Sequence, residues 1–70
     1  MQPGQLVVVP SRPALGVGRL ERLLRADDQG PDEEPRLARV FFYDEGRFEV
    51  LERALVAPAP PGVWPRGESG

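Results

Sequence analysis

Cysteine, histidine and lysine do not occur in this 70-residue chain, nor do asparagine, threonine and isoleucine. Without cysteine there is neither a disulfide framework nor a thiolate metal site. Without histidine the commonest metal ligand is missing, and so is the usual acid–base group of neutral pH. Carboxylate-only metal sites stay open in principle, but metal-dependent or histidine-dependent catalysis is not expected. No apolar run approaches the ~20 residues of a membrane helix. No charged-then-apolar signal segment opens the chain, and the expectation is a soluble, cytoplasmic protein. A cationic surplus is also absent: the formal net charge is -2. Nucleic-acid binders generally need clustered cations, so tight autonomous binding of this kind is disfavoured, although a local arginine stripe is compatible with the total.

What is there is equally uneven. All nine basic side chains are arginine, and nine prolines and eight glycines accompany them. This usage suits codon bias in a GC-rich genome and is compatible with a thermophilic source, although the lack of lysine runs against that trend. Seventy residues make one small domain whose burial only just offsets the entropy of folding. The reactive groups are Asp, Glu, Ser11, Ser69 and Tyr43, and no spacing sets a nucleophile beside a base. The chain is expected not to be an enzyme and to hold no cofactor and no metal.

The pattern is that of short strands. Gln5 to Val9 is an apolar β-branched run bounded by Gly4 and Pro10. Ser11-Arg12-Pro13-Ala14 reads as a loop. A second strand is expected from about Gly16 to Arg25, its Gly16-Val17-Gly18 entry marking a bend or bulge. A helix competes over Arg19–Ala26, because Leu20, Leu23 and Leu24 have helical spacing. Residues 26–35 carry five carboxylates between Gly and Pro residues and are expected to be a solvated, mobile loop. They lack the spacing of a calcium loop. A third strand, Arg36 to Tyr43, alternates well. Asp44-Glu45-Gly46 reads as a tight turn with Gly46 at positive φ, followed by a fourth strand, Arg47 to Leu51. Glu52-Arg53-Ala54 suggests a single 3₁₀ turn, and Leu55-Val56-Ala57 a last strand.

These elements predict an all-β fold, a strongly bent five-stranded antiparallel barrel of SH3-like or Tudor-like type. It would occupy residues 1–57, with a disordered Pro/Gly-rich tail over 58–70. The expected core is Val7, Val9, Val17, Leu20, Val40, Phe42, Phe48, Val50 and Leu55. Truncation of Phe42 or Phe48 to Ala is expected to unfold the domain, at about 3–5 kcal/mol.

Val8-Val9-Pro10 followed by Leu15-Gly16-Val17-Gly18-Arg19-Leu20-Glu21-Arg22-Leu23 resembles the start of the bacterial CarD-type RNA-polymerase-interacting domain, shared with transcription-repair coupling factor. The same block resembles the Tudor-like module at the front of the polymerase-recycling ATPase RapA. Ala38, Val40 and Phe42, then a Gly-containing turn, Phe48, Val50 and Leu55, continue the likeness over about residues 3–57. The resemblance implies a small barrel that docks on RNA polymerase, mostly by adding sheet edge and side chains to a lobe of the β subunit. The helical DNA-facing domain of the first family and the motor of the second have no counterpart here, and the acidic loop matches neither. No contact residue carries over.

From the residues themselves, an outward surface is expected where Arg39, Phe41 and Tyr43 lie beside Arg47, Glu49 and Leu51, with Trp64 as a further candidate. Aromatics and arginine are enriched at protein interfaces. Three uses stay open: a protein-partner site, a base-stacking platform, or a patch covered by the acidic loop or by the tail with Trp64 folded back. A cage for methylated cations would need more converging aromatics. The leading expectation is a non-enzymatic interaction module of the transcription machinery, monomeric or weakly dimeric. The alternatives are a nucleic-acid-binding barrel and a structural adaptor or homodimer.

Overall fold

A computed structural model describes residues 1–63. Five strands form one antiparallel sheet: β1 (Leu6–Val8), β2 (Gly18–Leu24), β3 (Leu37–Phe42), β4 (Arg47–Glu52) and β5 (Ala57–Pro58). Their order across the sheet is β4-β3-β2-β1-β5. The competing helix over Arg19–Ala26 does not form, because Leu20, Leu23 and Leu24 pair with Val40, Ala38 and Leu37 of β3. Two single 3₁₀ turns, Pro13–Leu15 and Arg53–Leu55, replace the expected loop at 11–14 and lie one residue beyond the expected turn at 52–54. Among the described residues no helix is long and apolar enough to cross a membrane.

The sheet curls. In a flat sheet four inter-strand spacings would set β4 and β5 about 19 Å apart. Only Arg53–Val56 join them, and a link of that length containing a 3₁₀ turn spans no more than about 13 Å. An ion pair points the same way: Arg12, in the β1–β2 connection, lies 3.6 Å from Glu49 of β4. The bend sits in β2. The register shifts between Leu20 and Arg22, leaving Glu21 as the extra residue of a bulge. Gly18 is buried where a Cβ would lie 2.5 Å from Val40 Cγ1 and 2.9 Å from the Phe41 carbonyl oxygen, so only glycine permits that approach of β2 to β3. Backbone bonds prolong the pairing beyond the strands, from the Tyr43 N–H to the Val17 carbonyl and from the Ala59 N–H to the Leu6 carbonyl. Sheet pairing thus reaches Ala59, past the expected boundary at 57.

The concave side holds the core: Val7, Val9, Leu15, Val17, Leu20, Ala38, Val40, Phe42, Leu51 and Val56. Six of the nine expected core residues are there. Phe48, Val50 and Leu55 are not, at 40%, 52% and 40% exposure. For β4 the cause is the length of the hairpin loop. A three-residue Asp44–Gly46 turn would pair Phe42 with Phe48 and Val40 with Val50, because directly opposed residues share a face. The loop has four residues, Tyr43–Gly46, closed by the Gly46 N–H on the Phe42 carbonyl at 2.8 Å, with Gly46 at φ 66°. One added residue slips the register, and a one-residue slip turns every side chain over. Phe42 therefore opposes Arg47, Val40 opposes Glu49, and Ala38 opposes Leu51. For Leu55 the 3₁₀ turn rotates the chain so that Val56 enters the core instead.

The acidic segment is a largely exposed loop, as expected, with hydrogen bonds of its own. Gln29 holds it together: its Oε1 accepts from the Ala26 N–H at 2.8 Å and the Arg36 N–H at 3.0 Å, and its Nε2 donates to the Glu34 carbonyl at 2.6 Å. The Arg25 side chain donates to the Glu33 carbonyl at 2.7 Å, and Glu33 accepts from the Gly30 N–H at 2.7 Å. Its carboxylates are partly neutralised at the base of the loop, Asp28 by Arg36 at 3.0 Å and Glu34 by Arg53 at 3.6 Å.

Candidate functional site

The convex face of β2–β4 is where apolar side chains remain uncovered. Register places its residues in rows. Arg19, Phe41 and Phe48 form one row across the strands, and Arg22, Arg39 and Val50 form the next. Phe41 is the hub. Its ring lies 5.0 Å from that of Phe48 at 63° and 5.4 Å from that of Tyr43 at 89°, both edge-to-face. Such pairs contribute about 0.5–1.5 kcal/mol beyond the area they bury. The Arg39 guanidinium sits 4.1 Å over the Phe48 ring while its Nε lies 3.0 Å from Glu21 Oε1. The bulge at Glu21 thus places the carboxylate that fixes Arg39.

Among the expected contact residues, Arg39, Phe41 and Tyr43 do share one outer surface. Arg47, Glu49 and Leu51 do not join them, because the loop-length effect puts the odd-numbered residues of β4 on the concave side. Leu51 is in the core. Glu49 lies at the rim, opposite Val40, between Arg12 at 3.6 Å and Arg47 at 3.8 Å. Its Oε2 is buried without a hydrogen bond, so the carboxylate is balanced by charge alone. Arg47 also reaches Glu45 at 3.6 Å, making a rim chain that ties the β1–β2 connection to the β3–β4 hairpin. Phe48 and Val50 take the vacated places beside Phe41 and Arg39. Parity of the hairpin loop was the missing signal, and Tyr43, read as strand, concealed it. Trp64 lies outside the described residues, as does Ser69.

Other surfaces offer less chemistry. Among the described residues no three carboxylates converge as metal ligands. An apolar groove of about 350 Å³ runs between Val8, Val9, Pro13, Val17, Pro60 and Val63. A polar hollow beside the acidic loop is lined by Gln29, Glu33, Arg36 and Arg53. Neither brings a nucleophile and a base together.

Comparison of the chain with known protein families, with curated proteins and with solved structures finds no match.

Proposed function

We propose that this chain is a non-enzymatic protein-interaction module whose sheet closes as a small SH3-like barrel and whose convex β2–β4 face docks on bacterial RNA polymerase. The carrying observation is the cluster of Phe41, Tyr43, Phe48, Val50 and Arg39, which is ordered by its own contacts yet left open by the rest of the described chain. Ordering before contact lowers the entropy lost on binding, and aromatics with arginine are the residues that dominate binding energy. The bulged β2, the glycine at the close approach and the short β4–β5 link supply what a small sheet needs in order to close. The polymerase as partner follows from the likeness of the Gly16-Val17-Gly18 block and of the third and fourth strands to polymerase-docking modules.

The test is direct binding of the full chain to purified bacterial RNA polymerase core and to its isolated β subunit. One-to-one binding that Phe48→Ala with Val50→Ser weakens more than about tenfold, at unchanged circular dichroism, is the expected result. Absence of binding by the unaltered chain removes the polymerase from the proposal.

A base-stacking platform fits this face less well. Stacking needs an open ring face. Arg39 already covers Phe48, and the rings of Tyr43 and Phe48 both engage Phe41 edge to face.

A further inference from the structure

The eight arginines among the described residues divide into three groups. Arg12, Arg36, Arg39, Arg47 and Arg53 each have a carboxylate within 4.0 Å. Arg25 donates to a loop carbonyl. Arg19 and Arg22 are exposed and, among the described residues, have neither an ion pair nor a side-chain hydrogen bond. Both lie on β2 at the border of the aromatic cluster, Arg19 opposite Phe41 and Arg22 opposite Arg39.

The second pairing is costly. Like charges directly opposed across a sheet are destabilising. Glu21 compensates Arg39 at 3.0 Å, and Arg22 keeps no such neighbour among the described residues. Of the five carboxylates of the acidic loop, Asp28 and Glu34 meet Arg36 and Arg53 at the Leu24–Leu37 end of the sheet. Glu45 and Glu49 are taken by Arg47 and Arg12 at the rim. A chain of net charge -2 therefore presents, along the β2 side of an apolar cluster, two arginines with no ion pair among the described residues. Glu52 lies one row further on, opposite Leu37.

We infer that this face takes an acidic protein segment in which carboxylates flank an aromatic or large apolar side chain. The carboxylates would meet Arg19 and Arg22, where the planar guanidinium favours two-point contact. The apolar side chain would pack on Val50 and on the part of Phe48 that Arg39 leaves exposed. Docking relieves the Arg22–Arg39 opposition and removes exposed apolar area from water in one step. The inference rests on the docking role proposed for the same face and adds the chemistry of the partner.

The experiment is a titration of the isotope-labelled full chain, followed by amide shifts, with three probes: a glutamate–tyrosine copolymer, polyglutamate and a thymidine oligonucleotide. The copolymer is expected to shift the amides of Arg19, Arg22, Phe41 and Phe48, with affinity falling about tenfold from low to high salt. Arg19→Gln with Arg22→Gln, at exposed positions that leave the fold intact by circular dichroism, is expected to weaken it about tenfold. Shifts absent with the copolymer overturn the inference. So does an oligonucleotide that binds as tightly, and so does polyglutamate alone matching the copolymer, since the apolar anchor would then be idle. Copolymer binding here without polymerase binding discards the polymerase and keeps the acidic segment. Polymerase binding that tolerates both arginine changes does the reverse.

Discussion

The two faces of the β3–β4 hairpin are built from nearly the same residue types and meet opposite fates. On the concave side Phe42, Val40, Ala38 and Leu51 are buried in one cluster with Val7, Val9, Leu15, Leu20 and Val56. On the convex side Phe41, Phe48 and Val50 stay at the surface, held by ring edges and one guanidinium. Hydrophobicity alone does not tell them apart. Register does, and register follows from the loop. An apolar residue in a small sheet is therefore informative about function only after its face is known.

Pairs of substitutions across the two faces test that contrast. Phe42→Ala empties the centre of the core and is expected to cost about 3–5 kcal/mol, enough to unfold so small a domain in a thermal melt. Next in size is a neighbouring pair. Leu51→Ala is expected to cost about 2 kcal/mol or more, whereas Val50→Ala, one residue away, should stay within about 0.5 kcal/mol. Equal effects in urea unfolding would mean that the assigned register of β4 is wrong. Gly18→Ala drives a methyl group into Val40 and the Phe41 carbonyl and is expected to cost about 1–3 kcal/mol by the same measurement. Phe48→Ala gives up the edge contact to Phe41 and the cover of Arg39, about 1 kcal/mol in all. The domain should remain folded and lose the binding proposed for this face. That outcome differs from the unfolding expected for Phe48 when its strand is read by alternation alone.

Much of the fold was legible because local signals agreed. The apolar runs, the Gly16-Val17-Gly18 bend and the alternation of residues 36–43 all favour strands, and all five strands lie within two residues of the expected bounds. The last strand is displaced to Ala57–Pro58, because the 3₁₀ turn takes up Leu55. The site was legible by half. Arg39, Phe41 and Tyr43 follow from the inward set Ala38, Val40 and Phe42, since alternation within one strand needs no partner. The other half depends on how two strands meet, and Arg47-Phe48-Glu49-Val50-Leu51 alternates plausibly in either sense. The choice was made by Tyr43, which joins the turn and so adds one residue to it. The order of residues 26–36 was hidden for a different reason. One glutamine side chain supplies several of the loop's hydrogen bonds, and composition gives no weight to a single residue.

The hairpin connection between Phe42 and Arg47 thus carries a constraint on its length more than on its letters. Deleting one residue there would exchange what β4 hides for what it shows, abolishing the proposed binding surface with no change to any β-strand residue that forms it. Inserting two would spare both. Descendants of this chain that keep its partner are expected to vary at that connection in steps of two, a bookkeeping of parity that a comparison of lengths can read before any side chain is considered.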